Sequence, residues 1–311
     1  MSDYSILLVD GATFKPNKKQ VRFIQRNTEI NTFLDSGQDS SKALIVGQKG
    51  SGKSIIVNYK NFKDRTSSDS ESMFFIPSEG VEKISFSDRL SASELTLNVK
   101  YQDWEKIFKV SIYYYLLCKL SDQLITHYEI LTKEGFDNIS LHDSFNPSRV
   151  EYIETDLGSI IYKCVTNRNI AVYENIADFV DFAKRLIKSY VSKREVRVYI
   201  DNLDQALHNS LTKEDPIITN YYSEVLSLDN EEITSSIGKD IRDLEIFTSS
   251  KSFLSSDKSV SAWFTCHIGF LLAVYDINSL SRRINLYSTF RLEAYEYFEF
   301  IRIPNKPQYR N

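Results

Sequence analysis

Residues Gly47 to Ser54 read GQKGSGKS and satisfy the pattern G-x-x-x-x-G-K-[ST], a complete Walker A loop. The chemistry this spacing suits is the cradling of nucleotide phosphates. Glycines at 47, 50 and 52 let the backbone fold closely around an anion, so that several N–H groups and the N-terminus of the following helix point at it. Gln48, Lys49 and Ser51 complete the cradle. Lys53 supplies a mobile positive charge for the β- and γ-phosphates, and the Ser54 hydroxyl can coordinate Mg²⁺, which prefers oxygen ligands. With glycine at about 7% of average usage, a chance match in a chain of this length arises about once in a hundred. A flexible Gly/Ser loop between strand and helix is the weaker reading.

A phosphate loop of this kind also needs a carboxylate at the tip of a neighbouring strand, to hold Mg²⁺ through Ser54 and water. Val196 to Asp201, VRVYID, supplies one. Asp201 is the expected metal-side acid, and Asp204 is a second candidate, for water activation or metal support. The alternative is an aspartate-rich turn ending an ordinary strand. The long stretch between Ser54 and Asp201 leaves room for intervening strands, which argues against the layout of the small nucleotide kinases. Many hydrolysing P-loop enzymes carry a glutamate just after the metal-binding aspartate, whereas here that position is Asn202. An asparagine cannot take a proton, so Asp204, a glutamate from elsewhere, or slow turnover in a nucleotide-controlled switch are the open options.

A third polar group closes the segment RINLYSTF, where Ser288, Thr289 and Arg291 follow the Asp201 unit in sequence. Arg291 is the catalytic candidate there, at a strand tip able to sense a γ-phosphate. The competing reading is a solvated arginine with Thr289 as a helix N-cap. His127, His142, His208 and His267 are scattered without metal or triad spacing, and no serine nucleophile elbow is present. Cys118, Cys164 and Cys266 are odd in number and far apart, and read as reduced core residues.

The elements that position these residues follow from periodicity. Ala43 to Val46 is a compact apolar run and the residues from Lys53 are helix-compatible, so the loop is expected between strand and helix. A short strand is expected at Met73 to Ile76, after the polar TSSDSES loop. Trp104, Ile107, Phe108, Ile112, Tyr115, Leu116 and Leu120 recur at three- and four-residue steps, predicting a long amphipathic helix over 101–124. Further helices are predicted over about 175–191, 217–228 and 260–277, and strands over 194–203 and 283–289. The last of these helices lies in the most apolar region, but polar residues interrupt it, so it reads as a buried helix and not a membrane span. A short helix is expected around Ile30, Phe33 and Leu34, after a basic run from Lys15 to Arg26 that reads as a solvated face.

The 311 residues carry 42% hydrophobic and 26% charged side chains, as in a globular domain. With 38 basic and 42 acidic groups the net charge is -4, which does not indicate a nucleic-acid-coating surface and leaves only a local basic groove to contact nucleic acid. No signal peptide is recognisable, and a cytoplasmic setting without membrane contact is expected. The division expected is a lead-in segment over 1–40, a P-loop domain over 41–303 with a helical insertion around 100–192, and a tail over 304–311.

Taken together, FLDSGQDSSKALIVGQKGSGKS, LTLNVKYQDWEKIFKVSI, VRVYIDNLD and INLYSTFRLEAY make the chain resemble the STAND/AAA-related P-loop ATPases of prokaryotic conflict and antiphage systems. The resemblance covers about Phe33 to Phe298, and only the phosphate loop in it is highly specific. It implies an α/β three-layer sandwich, ASCE-like, with a mainly parallel central sheet and helical insertions, and the use of ATP and Mg²⁺. The implied function is that of an ATPase or an ATP-controlled switch in an antiviral defence complex. The alternatives are a nucleotide-dependent interaction subunit with little hydrolysis, or a phosphotransferase. The chain stops soon after the arginine strand, without room for a helical lid or nuclease, which points to a truncated sequence or a separately encoded partner; the partner expected is a second copy of the chain (a homo-oligomer) or a separate effector subunit.

Overall fold

The structure is a computed structural model that describes residues 28–35, 43–48, 50–67, 72–84, 100–120, 156–166, 172–192, 194–201, 203 and 258–300. In chain order its elements are α1 (Thr28–Asp35), β1 (Leu44–Gly47), α2 (Lys53–Ser67), β2 (Met73–Ile76) and β3 (Glu82–Lys83). There follow α3 (Tyr101–Leu120), α4 (Leu157–Thr166), α5 (Val172–Val191), β4 (Glu195–Asp201), α6 (Lys258–Leu280), β5 (Ile284–Arg291) and α7 (Leu292–Phe300).

The strands form one parallel sheet in the order β1-β5-β4-β2, and β3 pairs with β4 beyond the end of β2. Parallel strands need crossovers and become covered on both faces, which is why β4 and β5 are rich in Val, Ile, Leu and Tyr and are buried almost throughout. Side chains alternate between the two faces. Val196, Val198, Ile200, Ile284, Leu286 and Phe290 enter the larger core, shared with α3 to α7. Tyr199 and Tyr287 face the other way, into a smaller core with Phe33, Ile56, Val57 and Tyr59 from α1 and α2. The result is an α/β fold with helices on both faces of a parallel sheet.

One helix departs from its sequence reading. The spacing in α3 predicted a single apolar face, yet Trp104, Ile107, Phe108, every residue from Val110 to Cys118, and Leu120 are buried. The helix runs between α4, α5 and α6. Three of its polar groups bond distant elements: Tyr113 donates to Asp276 at 2.9 Å, Tyr115 to Glu82 at 3.0 Å, and Ser111 to the Cys164 sulfur at 3.2 Å. The crossing with α6 is close, since a Cβ placed on Gly269 would lie 2.4 Å from the Trp104 Cβ.

Boundaries differ modestly elsewhere. The helix predicted over 175–191 begins at Val172, and that predicted over 260–277 extends from Lys258 to Leu280. The strand predicted over 283–289 runs on to Arg291, which bears directly on the site. The helix predicted over 217–228 and the basic run from Lys15 to Arg26 lie outside the described residues. Among the described residues no helix is long and apolar enough to cross a membrane, α6 included.

Candidate functional site

The glycine-rich loop joins the end of β1 to the start of α2. Gly50 and Gly52 adopt φ values of 79° and 82°, in the left-handed region that side chains with a Cβ rarely enter. Gly47 is not left-handed, and a Cβ there would stand 2.7 Å from the Ser51 Oγ, a contact that rotation of the exposed serine would relieve. The Ser51 N–H donates to the Gln48 carbonyl at 3.3 Å, tightening the loop. The Ile56 N–H donates to the Gly52 carbonyl at 3.2 Å, so Gly52 caps α2. The N–H groups of the first turn then have no carbonyl of their own helix to bond, the property that makes a helix N-terminus receptive to anions.

Lys53, the first residue of α2, reaches back across the loop. Its ammonium donates to the Gly47 carbonyl at 2.9 Å and to the Gln48 carbonyl at 2.7 Å. Ser54 is half-buried at the second helical position, and its carbonyl accepts a bond from the Asn58 amide at 2.9 Å. Lys49 lies outside the described residues.

Asp201 closes β4 with only 3% of its surface exposed. Its Oδ1 accepts a short hydrogen bond from the Thr289 hydroxyl, and its carbonyl accepts one from the Ile84 N–H at 3.1 Å. Among the described residues the Asp201 carboxylate forms no ion pair. Strand β5 stands between the acid-bearing strand and the loop-bearing strand. Ser288 is level with Ile200 of β4, Thr289 with Ile45 of β1, and Arg291 with Gly47. Strand β5 follows both of its sheet neighbours in sequence, whereas β2 and β3, which lie between Ser54 and Asp201 in sequence, pair with β4 and do not separate it from β1.

This register corrects two readings. Thr289 lies inside a strand and bonds Asp201, so it does not cap the following helix. Arg291 is only half-exposed, and its guanidinium carbon is 6.0 Å from the centre of the Trp263 ring of α6, at the outer range of a cation–π contact. It is at the strand tip beside Gly47, not a freely solvated side chain. Ser288 is buried and its hydroxyl donates to the Thr289 carbonyl at 3.3 Å. Asn202 and Asp204 lie outside the described residues.

Further along α2, a polar cluster that sequence reasoning missed fastens the helix to the sheet. The Asp64 carboxylate receives Arg197 at 3.0 Å, Lys60 at 3.4 Å and the Tyr199 hydroxyl. Arg197 also donates to Glu195 at 2.8 Å. Lys60 is fully buried, its ammonium 4.4 Å from the centre of the Tyr287 ring, which stacks on Tyr199. Burial lowers the Lys60 pKa to about 8, against the opposing attraction of Asp64. Burial first, and Asp64 second, push the Tyr199 phenol well above its ordinary value. The signals were present: Lys60 and Asp64 are four apart on a helix, and Arg197 and Tyr199 share one face of a strand. Lys60 and Lys63 also donate to the Leu34 carbonyl, at 3.4 and 3.5 Å, holding the C-terminus of α1.

All three cysteines are buried thiols outside any disulfide, with the Cys118 and Cys164 thiols pushed up to about 12 by burial. Among the described residues there is no cluster of three or more His, Cys, Asp or Glu placed to hold a metal ion. Comparison with known proteins found no matching family model, no matching curated protein and no matching solved structure.

Proposed function

We propose that this protein binds a nucleoside triphosphate, ATP in the first instance, together with Mg²⁺, and acts as an ATPase or an ATP-controlled switch. The observation that carries the reading is the loop itself. Gly50 and Gly52 hold left-handed backbone just before a 15-residue helix that opens on Lys53 and Ser54, in a chain whose sequence matches the phosphate-binding pattern at every specified position. Triphosphate oxygens would meet first-turn N–H groups and the Lys53 ammonium, which would exchange its two carbonyl partners for charge-assisted bonds.

The donor set fits a magnesium ion. Mg²⁺ takes hard oxygen ligands and is commonly bound through one or two carboxylates plus substrate phosphates. The Ser54 hydroxyl and the buried Asp201 carboxylate are of that type. When bound, the ion would supply Lewis-acid stabilisation of phosphoryl charge. Arg291, level with Gly47 on the neighbouring strand, is the cationic side chain we assign to the terminal phosphate. Asp204 remains our candidate for water activation.

Replacing Lys53 by alanine tests this. Binding of ATP and Mg²⁺ followed by calorimetry should weaken by about 10- to 100-fold, the worth of a lost hydrogen bond to a charged group. Undiminished binding by a folded Lys53→Ala protein would overturn the assignment.

A second reading is favoured by Asn202. With no glutamate after Asp201, the protein would serve as a nucleotide-dependent interaction subunit that scarcely hydrolyses. Negligible turnover by the parent, with intact nucleotide binding, would select it. An unchanged, appreciable rate in Asp204→Asn would instead remove Asp204 from the catalytic role. The setting we propose, a prokaryotic antiviral defence complex with a further subunit or a second copy as partner, rests on the resemblance of the four segments alone.

A further inference from the structure

A side-chain hydrogen bond from the Thr289 hydroxyl to Asp201 joins the middle strand to the proposed metal-side acid. Resting on the nucleotide-binding reading, we propose that Thr289 is a positioning residue: its hydroxyl fixes the Asp201 carboxylate in the orientation that a divalent cation accompanying the nucleotide requires.

The argument starts from rigidity. Thr289 is 5% exposed, and β5 is hydrogen-bonded to β1 on one side and to β4 on the other, so its backbone is held from both edges. A β-branched side chain on such a strand has a stiff first torsion, which gives the hydroxyl a defined direction. A hydroxyl has a single proton, and here it is directed at Oδ1 of Asp201. An ionised carboxylate offers about four acceptor positions, so this bond leaves Oδ2 available to a cation. Partners of this kind, which do not themselves touch the metal, set the direction of a ligating carboxylate. Thr289 is also level with Ile45, two residues before the end of the loop-bearing strand, so one short strand segment references the acid to the loop. A hydroxyl serving only to satisfy a buried acid would need no such placement, and it would affect nucleotide binding equally with and without the cation.

The test uses the whole chain and an ATP analogue with a fluorescent ribose label, titrated with Mg²⁺ at fixed nucleotide and, separately, with nucleotide in EDTA. Thr289→Val keeps the shape and removes the donor. It is expected to raise the Mg²⁺ concentration at half-effect by about 10- to 100-fold, the usual cost of losing such a partner, while affinity in EDTA stays unchanged. Thr289→Ser should restore the parent midpoint. Thr289→Cys, with its weak donor, should lie between them, and it decides the matter if the valine variant does not fold. An unshifted Mg²⁺ midpoint in the valine and cysteine variants, or a loss of affinity equal in Mg²⁺ and EDTA, would overturn the proposal while leaving the nucleotide reading intact. A parent protein that binds the analogue in neither condition would overturn the nucleotide reading and this inference with it.

Discussion

Lys60 offers a measurement of what the buried cluster under α2 costs. The side chain has no exposed surface, and its pKa falls from an ordinary 10.5 to about 8 because desolvation outweighs the attraction of Asp64. Below pH 8 both folded and unfolded chains carry the ammonium, and the folded state bears its burial cost. Between about pH 8 and 10.5 the unfolded chain binds a proton that the folded chain has released, so the free energy of unfolding rises with pH across that window. At about 1.36 kcal/mol per pH unit, the full rise from this group is about 3 kcal/mol. Lys60→Met removes the charge and keeps an unbranched side chain, while Asp64 retains Arg197 at 3.0 Å and the Tyr199 hydroxyl. Urea unfolding of parent and variant from pH 7 to 10.5, followed by circular dichroism, cancels the titrations common to both. The parent should gain up to about 3 kcal/mol on the variant as the pH rises. Parallel profiles, or a parent that loses ground to the variant in this window, would refute the reasoning, the second by showing that the ion pair with Asp64 outweighs desolvation.

Two further substitutions probe the frame around the site. Gly269→Ala would force a Cβ to within 2.4 Å of Trp104 and 2.7 Å of the Glu105 backbone nitrogen, so α3 and α6 must separate. A loss of about 1–3 kcal/mol in urea unfolding is expected for such overpacking. Gly52→Ala meets no atom within 4 Å, so only its left-handed backbone resists the substitution. A cost of about 1–2 kcal/mol by thermal or urea unfolding is expected, and a neutral result would mean that the loop does not hold that conformation.

The sequence by itself determined the local parts of this protein. The loop after β1, the helix from Lys53 and the strand Met73–Ile76 were legible because glycine conformation, helix capping and apolar runs act over a few residues. The strand carrying Asp201 was legible for the same reason. Tertiary structure decided the rest, because in a parallel sheet neighbouring strands are joined by crossovers and are distant in sequence. That is why no local pattern placed β5 between β1 and β4, or turned Thr289 from a helix cap into the hydrogen-bond donor of Asp201. The same holds for α3, whose three- and four-residue spacing marked one apolar face. Its remaining faces became core because three other helices enclose it, with Glu82, Cys164 and Asp276 receiving the hydroxyls of Tyr115, Ser111 and Tyr113. Lys60 and Asp64 are neighbours along α2, but Arg197 comes from β4, and only packing sets it against the same carboxylate, which makes the burial of both cations tolerable.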